Sequence, residues 1–525
     1  MTYPGAWSAT KPDGLAAVDI ETGKSVTFKE LDDRSMQLAQ WLTKQGLGYG
    51  DCVATLASNS VECFEIYWAA MRCGLYLTPI NFHLLPAEVS YILNDCGAKA
   101  LVISADLADS AEAALADAPN IVAKLAFGGT VPGFDDYDEK LAAQPAEQPA
   151  EHRAGRTMLY SSGTTGRPKG VLFELPGVPI EEDNDGSLGD LTKLLFGFGE
   201  DTKYLSPAPL YHAAPLRYSG RVQALGGTVH FLKKFDAQQA LEAIEKYQIT
   251  HSQWVPTMFV RMLKLPDEVR LSYDVSSLQV AIHAAAPCPR EVKAAMIDWW
   301  GPIIWEYYAG SESNGATFIS SEQWLQKPGS VGKPAVGSIH VCDELGEELE
   351  PFKIGKVYFE QEGPGFEYYH DDDKTKASRH PAHADWSAIG DLGYIDEDGF
   401  LFLAERQSFV IISGGVNIYP QEIEDVVTMH PAVFDVAVIG VPHPDFGEEV
   451  KAVIQLVDGV PATDETKEEL MAFLAQNLAK FKLPRSIDFI EQLPRTPTGK
   501  LRKHEIRKLY DAPIQAAEPG VQGPS

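Results

Sequence analysis

The 525-residue chain has no unbroken apolar run of about 18 residues, which excludes a membrane-spanning helix. Its densest apolar stretch, Trp299 to Trp305, is interrupted by Gly301 and Pro302. Between Met1 and Asp13 no basic cluster precedes an apolar segment, so no secretory signal is expected. Cysteine is scarce: six, at positions 52, 63, 73, 96, 288 and 342, with none of the close spacing that zinc ligation uses. So few in so long a chain are no disulfide framework, and reduced, mostly buried thiols in a cytoplasmic protein are expected. Basic residues are outnumbered, 44 against 74 acidic, for a net charge of −30. That balance argues against nucleic acid as a partner, since phosphate binding needs a basic face.

What is present is an alternation of helix and strand signals in a chain too long for one core. Thr27 and Glu30 have the spacing of a capping box, and Leu31, Leu38, Trp41 and Leu42 follow at helical spacing. A strand is expected from Val53 to Leu56, a helix from Val61 to Cys73 closed by Gly74, and a strand at Leu101 to Ile103. This pattern indicates an α/β layer fold. Residues 141–153 are rich in Ala, Pro, Gln and Glu and read as a connector, and the acidic run 181–185 as a surface loop. Near residue 410 a smaller α+β unit begins. It has apolar runs at 433–441 and 450–457, a helix capped by Thr466 and Glu469 with Leu470, Phe473, Leu474 and Leu478 on one face, and a strand at Ile487 to Ile490. The end from about Asp511 is Pro/Gly/Gln-rich and expected to be disordered.

Residues 160–171 read YSSGTTGRPKGV. Gly163 and Gly166 free the backbone to curl and present amides to an anion. Ser161, Ser162, Thr164 and Thr165 add hydroxyls, and Lys169 adds a positive charge. A Walker loop needs four residues between its glycines and a Lys followed by Ser or Thr, so a P-loop ATPase is disfavoured. The string resembles the phosphate loop of the adenylate-forming superfamily, which holds acyl-CoA synthetases and the adenylation domains of peptide synthetases. Further motifs extend the resemblance from about Thr27 to Arg507, and it is strongest to bacterial CoA ligases acting on fatty or other hydrophobic acids. It implies a large N-terminal domain of layered sheets and helices (1–407), a small mobile α+β C-terminal domain (408–510) and a tail (511–525).

The resemblance also implies roles. In PLYHAAP (209–215), His212 would steer the carboxylate, as an imidazole can donate or accept near neutral pH. Ala284, Ala285 and Ala286 match the small-residue strip on which adenine rests. In YYAGSESNG (307–315), Tyr308 would lie along the adenine. Ser311, where the family more often has Thr, would reach phosphate, and Glu312 would help hold Mg²⁺. In 390–406, Asp391 would accept both ribose hydroxyls and Arg406 would bond ribose or phosphate, whereas Asp396 to Gly399 is only a hairpin signal. Gly414 and Gly415 would admit the pantetheine arm of coenzyme A. In PRTPTGKLRK (494–503), Lys500 matches the catalytic lysine delivered by the small domain. Two residues after Arg406, Ser408 falls at the hinge, where the family usually has Asp, Lys or Gln.

The implied function is AMP-forming acyl-CoA synthesis from ATP, Mg²⁺, coenzyme A and a small-molecule carboxylic acid. The oligomeric state is left open, a homodimer included. A medium- or long-chain fatty acid is the leading substrate, with arylpropenoic and steroid-derived acids as alternatives, because Ala213, Ala214 and Ala284 to Ala286, with bulky Trp254 and Met258 nearby, favour a sizeable hydrophobic acid. Asp236, which follows Phe235, is no sign of an amino-acid substrate. A second reading loads a carrier protein instead of coenzyme A. A rival of another class, an inactive nucleotide-binding protein, predicts loss of a charged motif residue, yet Lys169, Glu312, Asp391, Arg406 and Lys500 are all present.

Overall fold

The computed structural model describes residues 3–150, 152–161, 168–183, 186–361, 365–496 and 501–510. Two compact units divide after Leu403.

The first unit is a layered α/β structure. Its nine-stranded sheet contains six neighbouring parallel strands, in the order Ile304–Ala309, Val280–His283, His251–Trp254, Lys203–Ser206, Thr228–Phe231 and Leu15–Asp19. A six-stranded sheet, parallel throughout, is built on Cys52–Leu56, Tyr76–Pro79 and Ala98–Ser104. Such strands are covered on both faces, and Cys52–Leu56 is accordingly buried along its whole length. One hydrophobic cluster joins Val53, Leu77 and Val102 of the second sheet to Tyr204, Val229 and Phe231 of the first. The helices Phe28–Lys44 and Val61–Arg72 belong to it, and in the latter every residue but Tyr67 is buried.

The local signals behave as their chemistry requires. The Thr27 hydroxyl accepts from the Glu30 amide at 3.2 Å while Glu30 accepts from the Thr27 amide at 2.9 Å, closing the capping box. Leu31, Leu38, Trp41 and Leu42 are buried on that helix. The helix Val61–Arg72 ends before Gly74, whose φ of 66° lies in the left-handed region that glycine enters without cost. In the Trp299 to Trp305 stretch, Gly301 at φ 84° ends the helix Arg290–Trp300 and lets the strand Ile304–Ala309 begin. The six cysteines, all among the described residues, form no disulfide, and five of them are buried. Among the described residues no helix is long and apolar enough to cross a membrane.

The second unit is a sheet of Val416–Ile418, Ile411–Ser413, Gly447–Leu456 and Val433–His443, with Ser486–Phe489 parallel to Gly447–Leu456. Its core joins Ile423 and Val427 of the helix Pro420–Thr428 to Val436, Val438, Ile454, Leu470 and Leu474. One expectation is corrected here. The helix Asp464–Asn477 is capped by Thr463, which accepts from the Thr466 amide at 3.4 Å, and the Thr466 hydroxyl donates to the Pro461 carbonyl at 2.8 Å. Two threonines three residues apart offer the same local signal, and the extended backbone of Thr463 decides between them.

Candidate active site

The strands Lys203–Ser206, Val280–His283 and Ile304–Ala309 run parallel in one sheet, so the segments leaving their C-terminal ends lie on one side of it. That side is where open parallel sheets receive ligands. The first segment leads to His212, which is the N-cap of the helix Ala213–Ala224. The second is Ala284 to Ala286. The third follows Tyr308 and carries Ser311 and Glu312 in the turn before the antiparallel strand Ala316–Ile319. Ala285 stands at φ 77°, a left-handed conformation that costs an alanine about 1 kcal/mol. Gly310 is required by proximity: a Cβ there would meet Glu312 Oε2 at 2.8 Å and Ile389 Cδ1 at 2.7 Å.

Side chains tie these segments together. The Tyr308 hydroxyl donates to Asp391 Oδ2 at 2.6 Å, short enough for a charge-assisted bond, and Asp391 is buried at the start of the strand Asp391–Ile395. Tyr368 donates its hydroxyl to Glu312 Oε1 at 2.9 Å. Tyr368 lies on a three-stranded sheet with Lys169–Leu172 and Leu159–Ser161, paired directly with Val171, so that sheet links Glu312 to Lys169. The Lys169 ammonium is paired with Asp371, which also caps the helix Asp372–Ala377 by accepting from the Lys374 amide at 2.9 Å. Arg217, on the helix that His212 caps, donates to Ser313 Oγ at 2.9 Å and to Thr157 Oγ1 at 3.3 Å. Neither Tyr368, Asp371 nor Arg217 was singled out in the sequence. The only hint for the first two was aromatic and acidic crowding in EYYHDDD (367–373).

Beneath the alanine strip is a buried charge. Lys293 donates to Glu306 Oε2 at 2.6 Å, with the lysine side chain wholly inaccessible. His283 Nε2 is 3.6 Å from the same oxygen. Burial, with the Lys293 charge second, holds the His283 pKa well below its ordinary value, so the ring is neutral and this contact is no ion pair. Burial pushes Glu306 upward, and Lys293 opposes it.

Other expected residues fall elsewhere. Ser162, Gly163, Thr164, Thr165, Gly166, Lys500 and the tail 511–525 lie outside the described residues, and of Ser161 only the backbone strand is described. Arg406, Ser408, Gly414 and Gly415 belong to the second unit. Arg406 ends the strand Leu401–Arg406, and Ser408 sits exposed in the 3₁₀ turn Gln407–Phe409. Gly414 and Gly415, at φ 57° and 79°, form the exposed turn between Ile411–Ser413 and Val416–Ile418. Trp254 and Met258 are 1% and 3% exposed within a core cluster with Phe259 and Trp300, so they build the core under the sheet. Asp236 is the N-cap of the helix Ala237–Tyr247, accepting from the Gln239 amide at 2.8 Å. Of the acidic run 181–185, Glu181 and Glu182 are exposed and Asp183 takes Arg156 in a two-pronged pair at 2.7 and 3.0 Å, while 184 and 185 lie outside the described residues.

Among the described residues no three His, Cys, Asp or Glu side chains cluster as a metal cage. Mg²⁺ needs none, since it binds through one or two carboxylates together with phosphate and water. Glu312 supplies one carboxylate of that kind, with Oε1 accepting from Tyr368 and Oε2 lying against Gly310.

Comparison with known proteins accords with this geometry. Residues 6–369 match the family model for AMP-binding enzyme, and residues 422–500 match that for the AMP-binding enzyme C-terminal domain. The chain belongs to the AMP-binding enzyme family, as an AMP-forming acid–thiol ligase. It is 30% identical over 519 residues, 97% of each chain, to the long-chain-fatty-acid–CoA ligase FadD13 of Mycobacterium tuberculosis strain H37Rv. It is 30% identical to a feruloyl-CoA synthase of Amycolatopsis sp, over 93% of this chain and 94% of that one. The crystal structure of the anthranilate CoA ligase AuaEII with anthranoyl-AMP superposes with a TM-score of 0.83 at 25% identity, over 97% of each chain.

Proposed function

We propose that this ligase is a cytoplasmic acyl-CoA synthetase for hydrophobic carboxylic acids, with medium- or long-chain fatty acids as the leading substrates. In the first step a carboxylate oxygen attacks the α-phosphorus of ATP. The new O–P bond forms as the bond to the β-phosphate oxygen breaks, releasing pyrophosphate and leaving acyl-AMP. In the second the coenzyme A sulfur attacks the acyl carbonyl, the thiol proton is lost, and AMP departs.

The observation that carries the reading is the pair of bonds Tyr308–Asp391 and Glu312–Tyr368, made by residues at and just beyond the C-terminal end of the parallel strand Ile304–Ala309. An aromatic face next to a buried carboxylate suits adenine and ribose, because a carboxylate can accept a vicinal pair of hydroxyls. Ala284 to Ala286 let a flat base approach the backbone. Lys169, Ser311 and the hydroxyls of Ser161, Ser162, Thr164 and Thr165 would bind the phosphates, and His212 would orient the acid. Glu312 would hold Mg²⁺, which supplies positive charge to the triphosphate when bound. Two anions must meet in the first step, so the chemistry needs charge stabilisation more than acid–base help. Lys500 meets that need between carboxylate and α-phosphate, with Arg406 on the ribose or phosphate. The small domain, moving about Ser408, then withdraws Lys500 and presents Gly414 and Gly415 to the pantetheine arm.

The feruloyl-CoA synthase likeness keeps arylpropenoic acids as the second substrate reading. Mass-spectrometric detection of thioesters from free coenzyme A with fatty, arylpropenoic and steroid-derived acids tests the assignment. Fatty acyl-CoA is expected to dominate. Pyrophosphate release without any coenzyme A thioester would refute the acceptor.

A further inference from the structure

Lys503 lies three residues beyond Lys500 and opens the helix Lys503–Lys508. Its side chain is 7% exposed, and its ammonium is held by two carboxylates, Glu424 Oε1 at 3.0 Å and Glu405 Oε2 at 3.2 Å. The Phe409 ring lies 5.5 Å away. Each carboxylate has a second task. Glu405 Oε1 accepts from the backbone amide of Arg406 at 2.8 Å, and Glu424 Oε1 accepts from the Val438 amide at 2.7 Å. All these groups belong to the second unit.

Burial lowers the pKa of this lysine, but Glu424 and Glu405 outweigh it and leave the pKa raised, so the ammonium stays charged at neutral pH. A buried ionic triad is no stronger than well-packed apolar groups of the same volume. What it adds is fixed geometry. One ammonium joins the sheet, through Glu424, to the Arg406 backbone, through Glu405, at the point where the chain emerges from Lys500.

We infer that Lys503 is a positioning residue: its clamp on Glu405 and Glu424 makes Arg406 and the chain following Lys500 one rigid piece, needed for adenylation and dispensable for thioester formation. The inference rests on the assignment of Lys500 to adenylation, and the two can be tested apart. The full-length enzyme is assayed for acid-dependent ATP–pyrophosphate exchange, for thioester formation from pre-made acyl-AMP, and for thermal unfolding.

Lys500→Ala tests the assignment: it should abolish exchange and spare thioester formation, and retained exchange would remove Lys500 from the chemistry. Lys503→Met tests the inference. Displacement of reacting groups by about 1 Å typically costs about 100-fold, and a loss of that order in exchange kcat is expected, with thioester formation within about threefold of the parent enzyme. Glu405→Gln, which keeps the shape and weakens the clamp, should lose about tenfold in exchange at unchanged melting temperature. Exchange left intact in Lys503→Met would overturn the inference. So would equal losses in both half-reactions, or an unaffected Glu405→Gln.

Discussion

Replacing Lys293 by Met should destabilise the first unit by an amount that shrinks as the pH falls. Lys293 is the ionic partner of Glu306 at 2.6 Å, deep in the nine-stranded layer. Its removal leaves a carboxylate with no countercharge, since His283, 3.6 Å away, is held neutral by its own burial. Breaking a buried pair in this way typically costs about 3–5 kcal/mol. The carboxylate has one escape, which is to bind a proton in the folded state only. Taking the ordinary glutamate value of 4.5 for the unfolded chain, protonation costs about 1.4 kcal/mol for each pH unit above it. That sets the deficit at about 3 kcal/mol at pH 7 and about 1 kcal/mol at pH 5.5.

The sign follows from proton counts. Burial raises the folded pKa of Glu306, and further once Lys293 is gone, so the native state of the variant holds a proton that the unfolded state has released. Stability of Lys293→Met therefore falls as pH rises from the unfolded pKa towards the raised folded one. Met nearly matches the aliphatic stem of lysine, which keeps the packing contribution small. Urea titrations of parent and variant between pH 5.5 and 8, followed by far-ultraviolet circular dichroism, provide the measurement. A deficit independent of pH, or below about 1 kcal/mol at pH 7, would refute the argument, because neither is compatible with a carboxylate stranded in the interior.

The remaining predictions concern the nucleotide. Asp391→Asn weakens the bonds that a carboxylate would accept from ribose hydroxyls, each hydrogen bond to a charged group being worth about 1.5–3 kcal/mol, and should raise the KM for ATP in pyrophosphate exchange at least about tenfold; an unchanged KM would count against Asp391 as the ribose seat. Lys169→Met should raise the same KM by about tenfold through loss of a charge-assisted phosphate contact. Asp371→Asn should lower it or leave it unchanged, because asparagine still caps the helix Asp372–Ala377 and no longer competes for the ammonium. Parallel behaviour of the two variants would show that the Lys169–Asp371 pair is wanted intact.

Legibility in the sequence follows the range over which each interaction acts. The Thr27–Glu30 box, the left-handed glycines and the turn at Asp396 to Gly399 are settled within about four residues. The sequence therefore displays them. Thr463 and Thr466 show the limit of such signals, since either hydroxyl could have capped and the backbone chose the first. Glu312 and Asp391 stand out as members of recurring strings. Their partners do not, because Tyr368 lies 56 residues from Glu312 and Tyr308 lies 83 from Asp391. Asp371 is 202 residues from Lys169, and nothing in an acidic triplet marks which carboxylate will face a lysine. These pairings are products of strand order: Val171 opposite Tyr368, and the strand Ile304–Ala309 delivering Tyr308 to the sheet edge. Glu306 makes the point most sharply. In the sequence it is one acid before two tyrosines, of the kind that usually faces solvent. Only the pairing of Ile304–Ala309 with Val280–His283, covered by the helix Arg290–Trp300, turns it inward on Lys293. The motif residues thus announce the chemistry, while the groups that hold them at their distances are chosen by topology and surface only when the chain is folded.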